Sequence, residues 1–152
     1  MKQKRKGRTP RTKAALLPLP AALARNISIE YHLALAAMRS GNGTHDTMVA
    51  LMRALYMTYF MLEAPVQADD LAFLLDIEAI LQKSIEAAAQ GQGWFVSDEY
   101  LTFIERLLLR LDTLVGGVPT YRYREAWARL DCFVKSSEVS PLPGSRLLHT
   151  WQ

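Results

Sequence analysis

The sequence is poor in the residues that build disulfides and metal centres. It holds one cysteine and three histidines in 152 residues. A single thiol excludes an internal disulfide framework and a multi-thiolate metal site, and it suits a reducing compartment such as the cytoplasm. The histidines, His32, His45 and His149, have no second ligand at helical or finger-type spacing. We therefore expect no metal site.

Motifs of familiar catalysis are also missing. The segments Gly41–Gly43 and Gly91–Gly93 lack the spacing and the flanking strands of a phosphate-binding loop. No serine elbow supports Ser-His-Asp catalysis. The acids of residues 69–105 are interpreted as a solvated face, with an acidic docking surface for a basic partner as the alternative. We expect a non-enzymatic protein that needs no cofactor.

No apolar run is long enough to cross a membrane. The longest, residues 48–62, falls short of the ~18 residues a span needs and contains Arg53 and Thr58. A basic start followed by apolar residues 14–24 resembles a secretory leader, but Pro18 and Pro20 interrupt that stretch. We favour an arm over a processed leader, and we expect no membrane partner.

Acidic residues are absent from the start of the chain. Residues 1–13 carry seven cations: Lys2, Lys4, Arg5, Lys6, Arg8, Arg11 and Lys13. The remainder is near −4, because 11 lysines and arginines face 15 acids. Such a segment can neutralise phosphates and release counterions, which predicts salt-sensitive binding of nucleic acid with little sequence preference. The alternatives are a solvated tail, or contact with acidic membranes or proteins.

Residue patterns predict an all-α protein, a four- or five-helix bundle. Residues 1–26, rich in Lys, Arg, Thr, Pro and Ala, are assigned to a flexible, disordered basic arm. Residues 27–135 form the bundle, and residues 136–152 a short C-terminal tail. Five helices are expected, at about residues 28–40, 44–63, 69–90, 97–115 and 120–135.

Apolar spacing predicts which helix faces turn inward. The fourth helix has the cleanest stripe: Leu101, Ile104, Leu108, Leu111 and Val115. The first is expected to bury Ile29, Leu33, Ala36 and Ala37, with Tyr31, Leu35 and Met38 beside this face. The third is expected to bury Leu74, Ile77, Leu81, Ile85 and Ala88, and the last Tyr123, Trp127, Leu130 and Val134. Cys132 is expected in the core. The second helix is apolar all round, which favours the centre of the bundle, with a homodimer surface as the alternative.

A second candidate for nucleic-acid contact lies between the last two helices. Residues 114–124 combine a helix end, a glycine turn and a helix that opens with Arg122 and Arg124. A helix-turn-helix would place such residues against base edges and phosphates. The doubled glycine and Pro119 favour the alternative, a plain corner of the bundle with solvated arginines.

The run from Glu30 to Thr44, EYHLALAAMRSGNGT, resembles a group of short helical bacterial proteins. These are found in chromosomes, plasmids and prophages, and they often carry the label of Fis-type transcriptional regulators. The resemblance covers roughly residues 25–65. It implies a helical regulatory protein of poorly understood role and no catalytic residues.

Together these features predict a DNA-associated accessory or regulatory protein of the cytoplasm, which contacts the phosphate backbone through its arm. The alternative is a protein-interaction or adaptor module, a self-associating helical bundle with no role at nucleic acid.

Overall fold

The structure, a computed structural model, describes residues 11–147 and places six α-helices and no β-strand there. The helices are α1 (Lys13–Leu16), α2 (Ala21–Arg39), α3 (His45–Met61), α4 (Ala68–Ala89), α5 (Asp98–Gly117) and α6 (Thr120–Lys135). The all-α prediction is confirmed. Helices α2 to α6 correspond to the five expected helices, and α1 is an additional short helix within the stretch assigned to the arm.

Helix α3 is the central element. It packs against α2, α4, α5 and α6, and nine of its 17 side chains are buried. Val49, 40% exposed, is its one large apolar side chain classed as exposed. The expected central position is confirmed.

Helix α2 begins earlier than expected and turns a different face inward. It starts at Ala21, directly after Pro20, because proline is tolerated at a helix start and the alanines that follow favour helix. Leu33 is 63% exposed and Leu35 is 5% exposed, so the predicted inner face is wrong. Spacing identifies two apolar stripes on this helix, and packing against α3 and α5 selects the one that contains Leu35.

The other helices match their apolar stripes closely. All five stripe residues of α5 are buried, as are Leu74, Ile77, Leu81 and Ile85 of α4, whose fifth stripe residue, Ala88, is half-buried. The end of α6 differs: Val134 is 68% exposed and Cys132 is exposed, so both expectations for these residues are wrong. Here α6 meets the core through Ala126 and Leu130, and Phe133 packs against it partly buried, whereas Cys132 and Val134 of the same last turn face solvent.

The part of the predicted tail that is described folds back onto the bundle. Leu142 is 4% exposed and belongs to the core. Within residues 11–147 no helix is both long and apolar enough to span a bilayer. In the same range, no three His, Cys, Asp or Glu side chains are grouped so that they could hold a metal ion.

Candidate nucleic-acid interface

The residues predicted to contact phosphate fall into two groups. Five lie outside the described residues: Lys2, Lys4, Arg5, Lys6 and Arg8. The other four are Arg11, Lys13, Arg122 and Arg124, and the structure places Arg11 beside the first turns of α6, the helix that carries the last two.

Residues 11–19 lie along the start of α6 because they supply a hydrogen-bond acceptor that this helix start lacks. The first N–H groups of a helix have no partner within the helix, and Pro119 offers α6 no side-chain cap. The carbonyl of Leu17 fills this role: it accepts from the Thr120 N–H at 2.8 Å and from the Thr120 hydroxyl at 2.7 Å. Leu19, 9% exposed, adds an apolar anchor. The arm is thereby tied to α6.

Arg11 lies on an exposed face of α6. Its guanidinium stands 3.8 Å from the centre of the Tyr121 ring, and Nη2 lies 3.3 Å from Oε1 of Glu125. Both partners of this ion pair are well exposed, so solvent screens it and it contributes little to stability. Arg124 follows Tyr121 by three residues and therefore shares its helix face. The described end of the arm thus contacts the helix that bears Arg124.

Arg122 and Arg124 have different surroundings. Arg122 Nη2 donates to the carbonyl of Met61 at 2.7 Å, and Nη1 lies 3.6 Å from Oε1 of Glu63. That carbonyl belongs to the last turn of α3, where carbonyls lack helical partners. Arg124 is exposed. Arg122 therefore joins α6 to the end of α3, whereas Arg124 faces solvent.

Replacing each arginine by glutamine tests whether Arg122 stabilises the fold and Arg124 does not. We expect Arg122→Gln to lower the free energy of unfolding by about 1–2 kcal/mol, because the Met61 carbonyl loses a charged donor. Arg124→Gln, a matched change two residues away, is expected to stay within about 0.5 kcal/mol of the original chain. Urea denaturation followed by circular dichroism measures both. Equal stability of the two variants would contradict the assignment.

Two further arginines join α3 and α6 through aromatic rings, and the sequence analysis predicted neither of them to contact phosphate. Arg129 is exposed, and its guanidinium lies 4.9 Å from the centre of the Phe60 ring. Arg53 of α3 lies 5.5 Å from the Trp127 ring centre. Arg129 follows Glu125 by four residues, and this helical spacing is the signal in the sequence that places Arg129 near Glu125.

Charge is distributed unevenly among the helices around α3. Helix α6 carries four cations and two acids, whereas α4 carries one cation and five acids. Both helices pack against α3. The arm therefore meets the bundle at its most basic long helix, and the acidic helix packs elsewhere on the central one.

The turn between α5 and α6 is a corner of the bundle. Val118 and Pro119 join the two helices, and the N–H of Thr120 is bonded to Leu17. A helix-turn-helix presents the start of its second helix to a DNA groove. Here that start is covered by residues 11–19, so these residues stand where a groove would have to approach.

Two polar clusters lie elsewhere. His32 Nε2 and Asp112 Oδ2 are 2.9 Å apart across α2 and α5, with both side chains about one third exposed. Tyr56 and Glu78 are buried together and bonded at 2.9 Å. Burial, and then the neighbouring Glu78 carboxylate, raise the pKa of the Tyr56 phenol above its ordinary value.

Comparison with known proteins adds no relative. No protein-family model matches the chain, and neither the curated proteins nor the solved structures contain a match.

Proposed function

We propose that this protein is a non-enzymatic, DNA-associated accessory or regulatory protein of the cytoplasm. Its arm contacts the phosphate backbone of duplex DNA, and Arg124 on α6 extends that contact. Binding of this kind depends on the number of phosphates neutralised and carries little sequence preference.

The position of Arg11 carries this proposal. Arg11 lies against Tyr121 and Glu125 of α6, the helix that bears Arg124, and Arg8 is only three residues earlier in the chain. Three residues span at most about 11 Å, so the arm cations begin within a short reach of the arginine on α6. Phosphates on one DNA strand recur about every 3.4 Å along the helix axis, so a single stretch of backbone offers several phosphates within this reach and can serve both groups.

The proposal is tested on the full chain by titrating a labelled mixed-sequence 30-base-pair duplex at 50 and 200 mM salt. The test variant carries glutamine at five arm positions: Lys2, Lys4, Arg5, Lys6 and Arg8. If each arm cation neutralises one phosphate, the slope of log K against log salt falls by about 4–5 in this variant. We expect the original chain to bind at low salt and to lose about three orders of magnitude in affinity at 200 mM.

A charge-matched control separates the arm from net charge. It carries glutamine at five exposed cations outside the basic segment of residues 1–13: Arg25, Arg39, Lys83, Lys135 and Arg146. We expect this control to retain most of the slope of the original chain. If the two variants lose equal affinity, net charge alone accounts for binding. Absence of binding by the original chain at 50 mM salt would rule the proposal out.

A further inference from the structure

The segment that follows α6 is anchored to the bundle at few points. Residues 136–147, called the strap below, contain no helix or strand. Residues 136–138 are exposed, and Leu142 is the one strap residue that is fully buried. Gly144, with φ +77°, turns the strap beside Leu75 of α4. Leu142 is therefore the one contact of the strap with the core, and the rest of the strap lies on the surface of the bundle, half-buried or exposed.

Two similar turns fasten the strap to one side chain. The sequences are Ser140-Pro-Leu142 and Ser145-Arg-Leu147, and in each the serine Oγ accepts from the N–H two residues later, at 3.1 and 3.3 Å. Each hydroxyl then donates to a different oxygen of Glu78, at 2.5 Å in both cases. The two turns thus hold the two oxygens of a single carboxylate.

Glu78 depends on hydroxyl groups for its hydrogen bonds. It is 2% exposed, and none of the ion pairs formed by residues 11–147 includes it. Tyr56 supplies its third hydroxyl donor. A buried carboxylate is costly unless it is hydrogen-bonded. When the strap lifts, water can replace the two serine hydroxyls, so opening does not leave the carboxylate without hydrogen-bond donors.

The strap also forms one wall of an apolar cleft of about 560 Å³. The bundle side of the cleft includes Met48, Met52, Ile85 and Phe133, and the strap side includes Val139 and Leu147. Tyr56 lines the cleft as well and donates to Glu78. The hydrogen bonds to Glu78 and the cleft therefore belong to the same part of the molecule. If the strap leaves, the bundle side of the cleft becomes exposed to solvent.

We propose that the strap is a detachable lid, fastened by Glu78, which opens as a unit and uncovers the apolar cleft while the helices stay folded. Segments with few buried apolar contacts open at lower free energy than packed helices. In this structure the serine hydroxyls set how often the lid opens.

Limited trypsin digestion of the full chain reports on lid opening. Cleavage after Arg146 requires the strap to leave the bundle, whereas cleavage after Arg106 requires α5 to unfold. For Ser140→Ala/Ser145→Ala we expect cleavage after Arg146 to accelerate about tenfold or more, since removal of two hydrogen bonds raises the open population. Cleavage after Arg106 is expected to stay unchanged. Glu78→Gln, which keeps the side-chain shape, is expected to accelerate the first cleavage as well.

Ser137→Ala is the matched control, because Ser137 is an exposed strap serine that does not contact Glu78. It is expected to cleave at the original rate. An amphipathic dye, anilinonaphthalene sulfonate, should fluoresce several-fold more with the double serine variant, as the cleft opens. The proposal is overturned if both cleavages accelerate together, since the strap would then open only with the whole bundle. Unchanged cleavage after Arg146, or unchanged dye fluorescence, would also overturn it.

Discussion

Leu35→Ala is expected to lower the free energy of unfolding by about 3 kcal/mol, within the range of 2–5 kcal/mol for buried leucines. Leu35 is 5% exposed, on the face of α2 that packs into the core. The alanine removes apolar contacts and leaves a cavity that the surrounding helices only partly fill. Urea denaturation, with the slope against denaturant unchanged, measures the loss.

Leu33→Ala is the matched control for this prediction. It makes the same substitution in the same helix, but Leu33 is 63% exposed. Its expected effect is within about 0.5 kcal/mol. The sequence pattern predicted Leu33, not Leu35, at the centre of the inner face, so the two variants also decide between the pattern and the structure. A larger loss for Leu33→Ala would mean that α2 is rotated about its axis.

Gly43→Ala is expected to cost about 3 kcal/mol, at the upper end of overpacking. A Cβ at Gly43 would overlap the carbonyl oxygen of Trp94 and lie 2.7 Å from the sulfur of Met38, which is fully buried. The Trp94 carbonyl is backbone and cannot move away by a change of rotamer. The connector that contains Trp94 must therefore shift, and with it the bond from the Val96 N–H to the Met38 carbonyl. Thermal denaturation measures the loss.

Gly116→Ala is expected to change stability in the opposite direction, as a gain. Gly116 lies in α5, and a Cβ there meets nothing within 4 Å. Since glycine costs a helix about 0.5–1 kcal/mol relative to alanine, this variant is expected to gain about 0.5 kcal/mol. A destabilised Gly116→Ala or a fully stable Gly43→Ala would show that the assignment of these two glycines is wrong.

Glycine patterns illustrate how far sequence reasoning reaches. A glycine just after a helix commonly adopts a left-handed conformation, and Gly41 has φ +82°. Gly43 has no such backbone angle and serves a close approach to Trp94 instead. A turn is a local property, whereas this approach involves a residue 51 positions away, and nothing in the neighbouring letters reports it.

The candidate site shows the same division. The cluster of cations at the start of the chain is evident from composition, because charge is additive along the chain. Three contacts are not evident from composition: the placement of Arg11 beside α6, the bond from Arg122 to Met61 and the burial of Glu78 beneath the strap. Each of these contacts joins residues more than 60 positions apart.

By itself, the sequence determined an all-helical protein, the approximate bounds of its five long helices, the central position of the most apolar helix and a basic segment at the start. These follow from spacing, caps and charge, which depend on neighbours within a few residues. Only the tertiary structure decided which stripe of α2 is buried, which arginine of α6 is occupied, and that the end of the described chain is fastened to Glu78. Such outcomes depend on how distant elements share one core, since burial is set by what lies opposite a side chain.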